Sequence, residues 1–220
     1  RSRGLGDVYK RQESSYTAIS EHIASVLEKT PGNVAIFSPS YSMMERVVAD
    51  TGYVFGRHLL REERGMSKRS VDGMINRLHE LKSMGKSSVI FGVLSGKLSE
   101  GIDYSDNILD AVVCIGLPLP PPSAKQSALF SYYTSRFGRS SAWKYASLQP
   151  AVNSILQALG RPIRKEEDRA IVILLEKRLL ESRSKDCMPG SMDSLRTSSP
   201  ARTSKHVERF FRIPKSMGSS

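Results

Sequence analysis

The chain has 220 residues, of which 39% are hydrophobic, enough for one domain with a packed core. It contains no run of 18 apolar residues, so the sequence predicts no membrane span. The net charge is +11, but residues 1–12 carry +3 and residues 181–220 carry +4, which leaves +4 for residues 13–180. Because much of the positive charge lies in ends that we expect to be flexible, the charge favours an anionic partner only weakly.

The two cysteines place a limit on metal chemistry. Cys114 and Cys187 lie far apart and match no metal-binding spacing, so no zinc or iron–sulfur site is expected within these residues. Cys114 stands inside an apolar run and is most simply a core residue of a protein from a reducing, cytosolic compartment.

The opening segment differs from the rest of the chain. Residues 1–12 show no apolar period and resemble read-through of a cloning or adapter sequence, so we leave them out of the fold prediction. They join abruptly to an amphipathic helix predicted from Tyr16 to Lys29, and this junction indicates a fragment of a longer protein.

From that helix onward, apolar runs of strand length alternate with stretches of helical spacing. The predicted strands lie at residues 34–37, around 53–55, and at 88–94, 111–117 and 170–175. A second helix is predicted to begin at Ser40, and three more are predicted at residues 67–84, 123–137 and 141–159. Strands that are apolar on both faces and alternate with amphipathic helices predict an α/β domain with a mostly parallel sheet covered on both sides.

The pattern changes after this domain, which we place at residues 13–181. Residues 182–204 are rich in Ser, Pro, Gly and Arg and are predicted to be a flexible linker. A short helix at residues 205–212 is expected to dock on the core, and residues 213–220 are expected to be a disordered tail.

The most informative segment is QALGRPIR, residues 157–164. Arg161 and Arg164 stand three residues apart at the end of a predicted helix, where they would share one face. Two converging guanidinium groups suit a polyphosphate, and Gly160 would let another surface approach closely. An ordinary helix C-terminus, where glycine and arginine are both common, explains the same residues equally well.

Gly85, Lys86 and Ser87 look like the end of a phosphate-binding P-loop, but the motif is incomplete. It needs a glycine five positions before Gly85, where Glu80 stands, and it needs a strand before it and a helix after it. Here the predicted order is the reverse. The sequence therefore contains no Walker A motif, and no Asp-Glu pair ends an apolar strand to hold Mg²⁺.

Two loops follow predicted strands, at the sheet edge where α/β proteins bind ligands. In GKLSEGIDY, Gly96 and Gly101 permit close backbone approach, and Glu100 and Asp103 supply carboxylates. Turn glycines and a helix-capping aspartate are the alternative.

The second loop is SPSYSMMER, residues 38–46, which offers serine hydroxyls and first-turn amides as a phosphate seat. The alternative is an ordinary N-cap by Ser40. Aromatic residues farther along the chain could stack on bases, but their near-helical spacing favours core packing. They are Phe130, Tyr132, Tyr133, Phe137, Trp143 and Tyr145.

These loops, in this order, resemble the second motor lobe of superfamily two helicases. FSPSYSMMER is similar to motif IV, and SGKLSEGIDY with the following strand and GLPLPPP is similar to motif V of XPD-type enzymes. QALGRPIRKEEDRAIVILLEKR resembles motif VI of the XPD/DinG iron–sulfur helicases. The resemblance covers Tyr16 to about Phe211 and implies a RecA-like carboxy-terminal lobe, of archaeal XPD type.

The resemblance also implies an activity. The full-length protein would be an ATP-dependent DNA helicase that unwinds DNA 5′→3′ in repair, working in the cytoplasm at the nucleoid, or in the nucleus of a eukaryote. Its partners would be single-stranded DNA, the first lobe of the same polypeptide and other repair proteins, with no membrane. ATP and Mg²⁺ would be bound mainly by the first lobe, and an iron–sulfur cluster would lie outside these residues.

By the same resemblance, Arg161 and Arg164 would be arginine fingers that reach the γ-phosphate. Gln157 and Gly160 would contribute to contacts with the nucleotide and between the lobes. Departures from the family pattern are Pro162 between the two arginines and Glu176 in place of the usual aspartate, so no role is carried onto Glu176.

Glu100, Gly101 and Asp103 would couple the nucleotide state to the DNA track. Ser40, Tyr41 and Ser95 would contact the single strand, chiefly through its phosphates. The alternative function is a non-catalytic RecA-like module that binds nucleic acid or a protein. An RNA helicase lobe is a third option, which the GLPLPPP segment disfavours.

Overall fold

The structure, a computed structural model, describes residues 3–51, 54–100, 102, 104, 106–163, 168–181, 184, 186–190 and 194–213. At its centre is a five-stranded sheet in which all neighbouring strands are parallel. The strands are β1 (Val34–Ser38), β2 (His58–Arg61), β3 (Ser88–Val93), β4 (Ala111–Ile115) and β5 (Ile171–Leu175), in the order β2-β3-β1-β4-β5. This architecture confirms the α/β prediction.

One predicted strand is wrong. Residues Val54–Gly56 form a 3₁₀ turn, and β2 starts four residues later, at His58. Phe55 and Gly56 have φ angles of 67° and 65°. Two successive residues in the left-handed region cannot continue an extended strand, so the apolar run there folds as a turn.

The described residues form six α-helices. They are α1 (Arg3–Lys29), α2 (Tyr41–Thr51), α3 (Lys68–Ser83), α4 (Ala124–Trp143), α5 (Gln149–Leu159) and α6 (Pro200–Arg212). Gly138, with φ at 80°, kinks α4, close to the gap predicted between two helices. A π-helical segment, Lys144–Leu148, joins α4 to α5.

The helices cover both faces of the sheet, as predicted. On one face, Phe37, Ile90 and Val112 pack with buried residues of α3 and α5. On the other face, the side chains of alternate strand positions pack with α1, α2 and α6. Cys114 lies in the first of these clusters and is 1% exposed, which confirms its predicted core position. Within the described part of the chain, no helix combines the length and apolarity that crossing a membrane requires.

The ends of the chain are more ordered than the sequence predicts. Helix α1 continues back to Arg3, through residues left out of the fold prediction. Helix α6 begins at Pro200 instead of residue 205 and packs on α1, because Val207 and Phe211 join the core cluster on that face. Cys187, within the predicted linker, is buried against the opposite face. Four basic residues thus belong to a packed helix and not to a flexible end: Arg202, Lys205, Arg209 and Arg212.

A buried asparagine fixes the amino ends of the central strands. Asn33 is 1% exposed, and its side chain donates to the Ile108 carbonyl and accepts from the Ser88 amide, at 2.9 and 2.8 Å. Its own amide donates to the Asp110 carboxylate at 2.9 Å. These bonds set the relative positions of β1, β3 and β4, and they determine where the loops at the opposite edge begin.

Candidate functional site

Loops that follow β1, β2 and β3 meet at the carboxyl edge of the sheet. They enclose an open cleft of about 310 Å³. The residues that line it include three predicted site residues, Tyr41, Ser95 and Glu100, together with Glu62 and Lys97. The fold therefore brings motif IV and motif V residues to one place, as expected for loops at the carboxyl ends of parallel strands.

The residue that organises this cleft, Glu62, is absent from the sequence prediction. It follows β2 directly and is 1% exposed, although it carries a carboxylate. The carboxylate accepts hydrogen bonds from the Tyr41 hydroxyl at 3.1 Å, the Val93 amide at 3.1 Å and the Lys97 amide at 2.8 Å. A buried charge is tolerated where several donors satisfy it, and here the donors come from α2, from the end of β3 and from the loop that follows β3.

Gly96 shows why the loop after β3 needs a glycine. A Cβ atom at this position would lie 2.5 Å from Glu62 Oε1 and 2.7 Å from the Val93 carbonyl oxygen. Gly96 therefore does permit a close approach to its backbone, and the group that approaches is the Glu62 carboxylate. The second predicted glycine, Gly101, lies outside the described residues, as does Asp103.

Tyr41, at the first position of α2, is half-buried between charged groups. Its hydroxyl donates to Glu62, and the Arg64 guanidinium lies over its ring, 4.6 Å from the centroid. Burial and the neighbouring Glu62 carboxylate raise the pKa of the Tyr41 hydroxyl above its usual value. Tyr41 is thus a neutral hydrogen-bond donor near neutral pH, with its ring orientation fixed from both sides.

The two predicted serines differ in their local roles. Ser40 Oγ accepts from the Met43 amide at 3.2 Å, so Ser40 caps α2 as the alternative interpretation states, while it remains exposed. Ser95 is also exposed and has a φ angle of 66°, which is uncommon for a residue other than glycine. Its hydroxyl donates to Ser154 Oγ on α5 at 3.0 Å, so the loop after β3 is joined to α5.

Arg161 lies beyond the end of its helix, which corrects the geometry inferred from the sequence. Helix α5 ends at Leu159 with Gly160 as its cap, so spacing of three residues on a helix does not apply to the arginines. A helix end shortly before Pro162 is expected, because proline disfavours the α-helical conformation in the residue that precedes it. Arg164 lies outside the described residues.

The Arg161 side chain reaches the loop that follows β3. Its Nε donates to the Ser99 carbonyl at 3.3 Å, and Nη1 donates to the Ile102 carbonyl at 3.4 Å. Ser99 in turn donates from Oγ to the Val93 carbonyl at 2.9 Å, at the end of β3. The structure therefore places motif VI against the backbone of motif V.

Gln157 and Gly160 lie at the exposed end of α5. Gly160 has a φ angle of −76°, and a Cβ there would make only ordinary contacts, 3.5 Å from the Leu156 carbonyl oxygen. Neither the backbone conformation nor a close neighbour among the described residues requires glycine at this position. Glu100 is likewise exposed, at the rim of the cleft.

Most of the aromatic residues on α4 and the segment after it are not core residues, contrary to the sequence interpretation. Tyr132 is 54% exposed and Phe137 57%, and Trp143 and Tyr145 are exposed as well. Tyr133 contacts both Phe137 and Tyr145, with ring centroids 6.2 and 5.6 Å apart. The helical spacing correctly predicted a helix, but of the described residues of α4 only Ala142 is buried, so most of these aromatic side chains face solvent.

The described residues offer little to a metal ion. No group of three or more His, Cys, Asp or Glu side chains is gathered among them.

Sequence comparison places most of the chain in one family. Residues 23–194 match the family described as the helicase C-terminal domain. The chain is 28% identical over 187 residues to the ATP-dependent DNA helicase CHL1 of Candida albicans, with 77% of the chain and 22% of that protein covered. It is 28% identical over 171 residues to the ATP-dependent DNA helicase XPD of Sulfolobus acidocaldarius, with 76% and 29% covered. The chain thus spans less than a third of the length of these relatives.

Solved structures agree with this assignment. An XPD helicase structure superposes with a TM-score of 0.61 at 26% identity, covering 78% of the chain and 30% of that structure. The C-terminal domain of S. cerevisiae Dbp5, bound to Gle1 and IP6, gives a TM-score of 0.52 at 16% identity, with 91% and 93% covered, which shows a shared fold. Both the predicted family and the RecA-like fold of a second helicase lobe are confirmed.

Proposed function

The chain belongs to the helicase C-terminal domain family, and we propose that it is the second motor lobe of an ATP-dependent DNA helicase of XPD type. In this proposal the lobe supplies arginine fingers to ATP hydrolysis and part of the track for single-stranded DNA. The complete enzyme would unwind DNA 5′→3′ during repair.

One observation carries this proposal: a single loop contacts both parts of the site. The loop after β3 contributes Ser95 and Glu100 to the cleft beside Tyr41. Its backbone also receives the Arg161 guanidinium, through the carbonyls of Ser99 and Ile102. A shift of Arg161 toward a nucleotide would pull on this loop, and the loop carries the residues proposed to contact DNA.

The chemistry proposed for the arginines is electrostatic. Arg161, with Arg164, would stabilise the negative charge that develops on the γ-phosphate during hydrolysis. Gln157 and Gly160 would contribute to contacts with the nucleotide and the first lobe, and Glu100, Gly101 and Asp103 would couple the nucleotide state to the DNA track. The exposed, unconstrained Gly160 favours such an approach by another surface, because nothing within the described chain requires a glycine there.

On the DNA side, Ser40, Tyr41 and Ser95 would contact phosphates of the single strand. The exposed hydroxyls of Ser40, at the start of α2, and of Ser95 suit that role. Mg²⁺ and most nucleotide contacts would come from the first lobe, because the described residues gather no carboxylate cluster. Any iron–sulfur cluster would lie in another part of the complete protein.

The alternative is a RecA-like module that binds nucleic acid or protein without catalysis. The observation that favours it is that the half-buried Arg161 is bonded to backbone carbonyls, as a purely structural arginine would be. The two functions differ in what the arginine contributes when a nucleotide is present.

The proposal is tested first with the purified 220-residue chain. Because the sequence lacks a Walker A motif, the chain should release no phosphate from ATP, with or without single-stranded DNA. It should bind a labelled single-stranded oligonucleotide weakly, with affinity that falls steeply as salt rises. Robust ATP turnover by the chain alone would contradict the two-lobe proposal, and binding unaffected by salt would contradict phosphate contacts.

A further inference from the structure

Glu62 connects the two loops that the proposed function assigns to DNA. Its carboxylate receives one hydrogen bond from α2, through the Tyr41 hydroxyl. It receives two from the segment at the end of β3, through the amides of Val93 and Lys97. Glu62 itself is held by its backbone, since its amide donates to the Phe91 carbonyl at 2.8 Å as the strand pairing of β2 ends.

The surroundings of Glu62 are shaped around its carboxylate. Cβ atoms at Gly92 and Gly96 would lie 3.1 and 2.5 Å from its carboxylate oxygens, so glycines stand where larger residues would displace it. Hydrogen bonds to a charged acceptor are stronger than those between neutral groups, and each one lost here would leave a buried group without a partner. Such an arrangement has two requirements, a full-length acidic side chain and a glycine opposite it.

From this geometry we propose that Glu62 is a positioning residue, which fixes the first turn of α2 relative to the loop of residues 95–100. Glu62 does not contact the single strand itself, because it is 1% exposed beneath the surface that Tyr41 and Ser95 present. Its effect on DNA binding is indirect, and this part of the inference rests on the proposed function. Without it, Tyr41 and Ser95 remain in the chain but lose their fixed separation.

Amide hydrogen exchange on the 220-residue chain tests the positioning directly and needs no ligand. Glu62→Gln keeps the shape of the side chain but replaces one acceptor oxygen with a donor. Exchange should accelerate at Lys97 and in the first turn of α2 and stay unchanged in α6, which packs on α1 and not on the loops around Glu62. Unchanged exchange at Lys97 and in α2 would overturn the proposal.

Binding of a fluorescent single-stranded oligonucleotide then separates positioning from general stability. Glu62→Gln should weaken affinity about tenfold, on the scale of one lost charge-assisted hydrogen bond. Tyr41→Phe should weaken it as well, and the double variant should lose less than the two combined, because both changes act on the same link between α2 and the loop after β3. Additive losses would overturn the proposal.

The matched control is Asn33→Asp, which disturbs a buried polar group at the opposite end of the same strands. It should lower the melting temperature without changing oligonucleotide affinity. An equal loss of affinity in the control would mean that Glu62 acts only through stability, which overturns the proposal.

Two results would separate this inference from the proposed function. If the chain without substitutions binds no oligonucleotide while Glu62→Gln still accelerates exchange, the positioning role of Glu62 is supported and the proposed DNA-binding function is contradicted. If Glu62→Gln does not fold, Tyr41→Phe provides the exchange test, because it removes only the hydrogen bond from α2 to Glu62. Faster exchange confined to the first turn of α2 supports the proposal, and none at all overturns it.

Discussion

The Arg161 guanidinium donates from Nε to the backbone carbonyl of Ser99, at 3.3 Å. This bond joins the segment after α5 to the loop after β3, which are 62 residues apart in sequence. Both partners are motif residues of a helicase lobe, and the contact lies where nucleotide and DNA functions would be coupled.

Replacing Arg161 with Ala should have little effect on the stability of the isolated chain. The two bonds to carbonyls are long, at 3.3 and 3.4 Å, and the side chain is only half-buried. We expect the free energy of unfolding to fall by about 1 kcal/mol or less, measured by urea denaturation. A loss of several kcal/mol would indicate that Arg161 serves the fold.

Gly96→Ala should destabilise the folded chain more than the small size of the added methyl group implies. The added methyl group would lie 2.5 Å from Glu62 Oε1, so the carboxylate or the loop must move. We expect a destabilisation of about 1–3 kcal/mol, as for overpacked cores, and weaker oligonucleotide binding. Gly73→Ala on α3 is the control, because a Cβ there meets nothing within 4 Å. Equal unfolding midpoints for the two variants would show that the cleft adapts freely.

The Asn33 side chain should prove essential to the sheet. Asn33→Ala leaves the Ser88 amide and the Ile108 carbonyl without their buried partners. We expect a cost of about 2–4 kcal/mol in the free energy of unfolding, because two buried polar groups become unsatisfied. The exposed Asn76 on α3, changed to Ala, should cost far less. A small effect at Asn33 would mean that water replaces its bonds.

The two thiols should react slowly in the folded chain. Burial raises the pKa of the Cys114 thiol, and burial is also the main cause of the raised pKa at Cys187. Since the thiolate is the reactive form, a raised pKa lowers its fraction at any given pH below that value. Labelling by a thiol reagent near pH 8 should be at least about tenfold slower than in urea. Rapid labelling of Cys187 in a Cys114→Ser variant would contradict its packed position.

Much of the fold could be predicted from the sequence because its strands are apolar on both faces. The runs at β1, β3 and β4 are buried at every position, so a continuous apolar pattern identified them. The pattern failed near Phe55, where backbone conformation and not hydrophobicity determines the structure.

The candidate site was predicted less completely. The sequence pointed to Gly96, whose close approach the structure shows, and to Arg161, but Glu62 was missed because it stands beside Glu63 in a polar stretch. Nothing local distinguishes a buried glutamate from its exposed neighbour. Glu62 differs from Glu63 because three donors from distant parts of the chain bond its carboxylate: the Tyr41 hydroxyl and the amides of Val93 and Lys97.

The central proposal, that Arg161 acts on the nucleotide as part of a two-lobed motor, is tested most directly by ATP turnover. In a protein that joins this lobe to its first lobe, Arg161→Ala should lower DNA-stimulated turnover by about 10³–10⁵-fold, the effect of losing an arginine finger. Arg161→Lys should restore little, because lysine lacks the planar fork, and single-strand affinity should be retained. Arg77→Ala, an exposed change on α3, should leave turnover intact. Near-normal turnover in Arg161→Ala would contradict the account and favour the binding module.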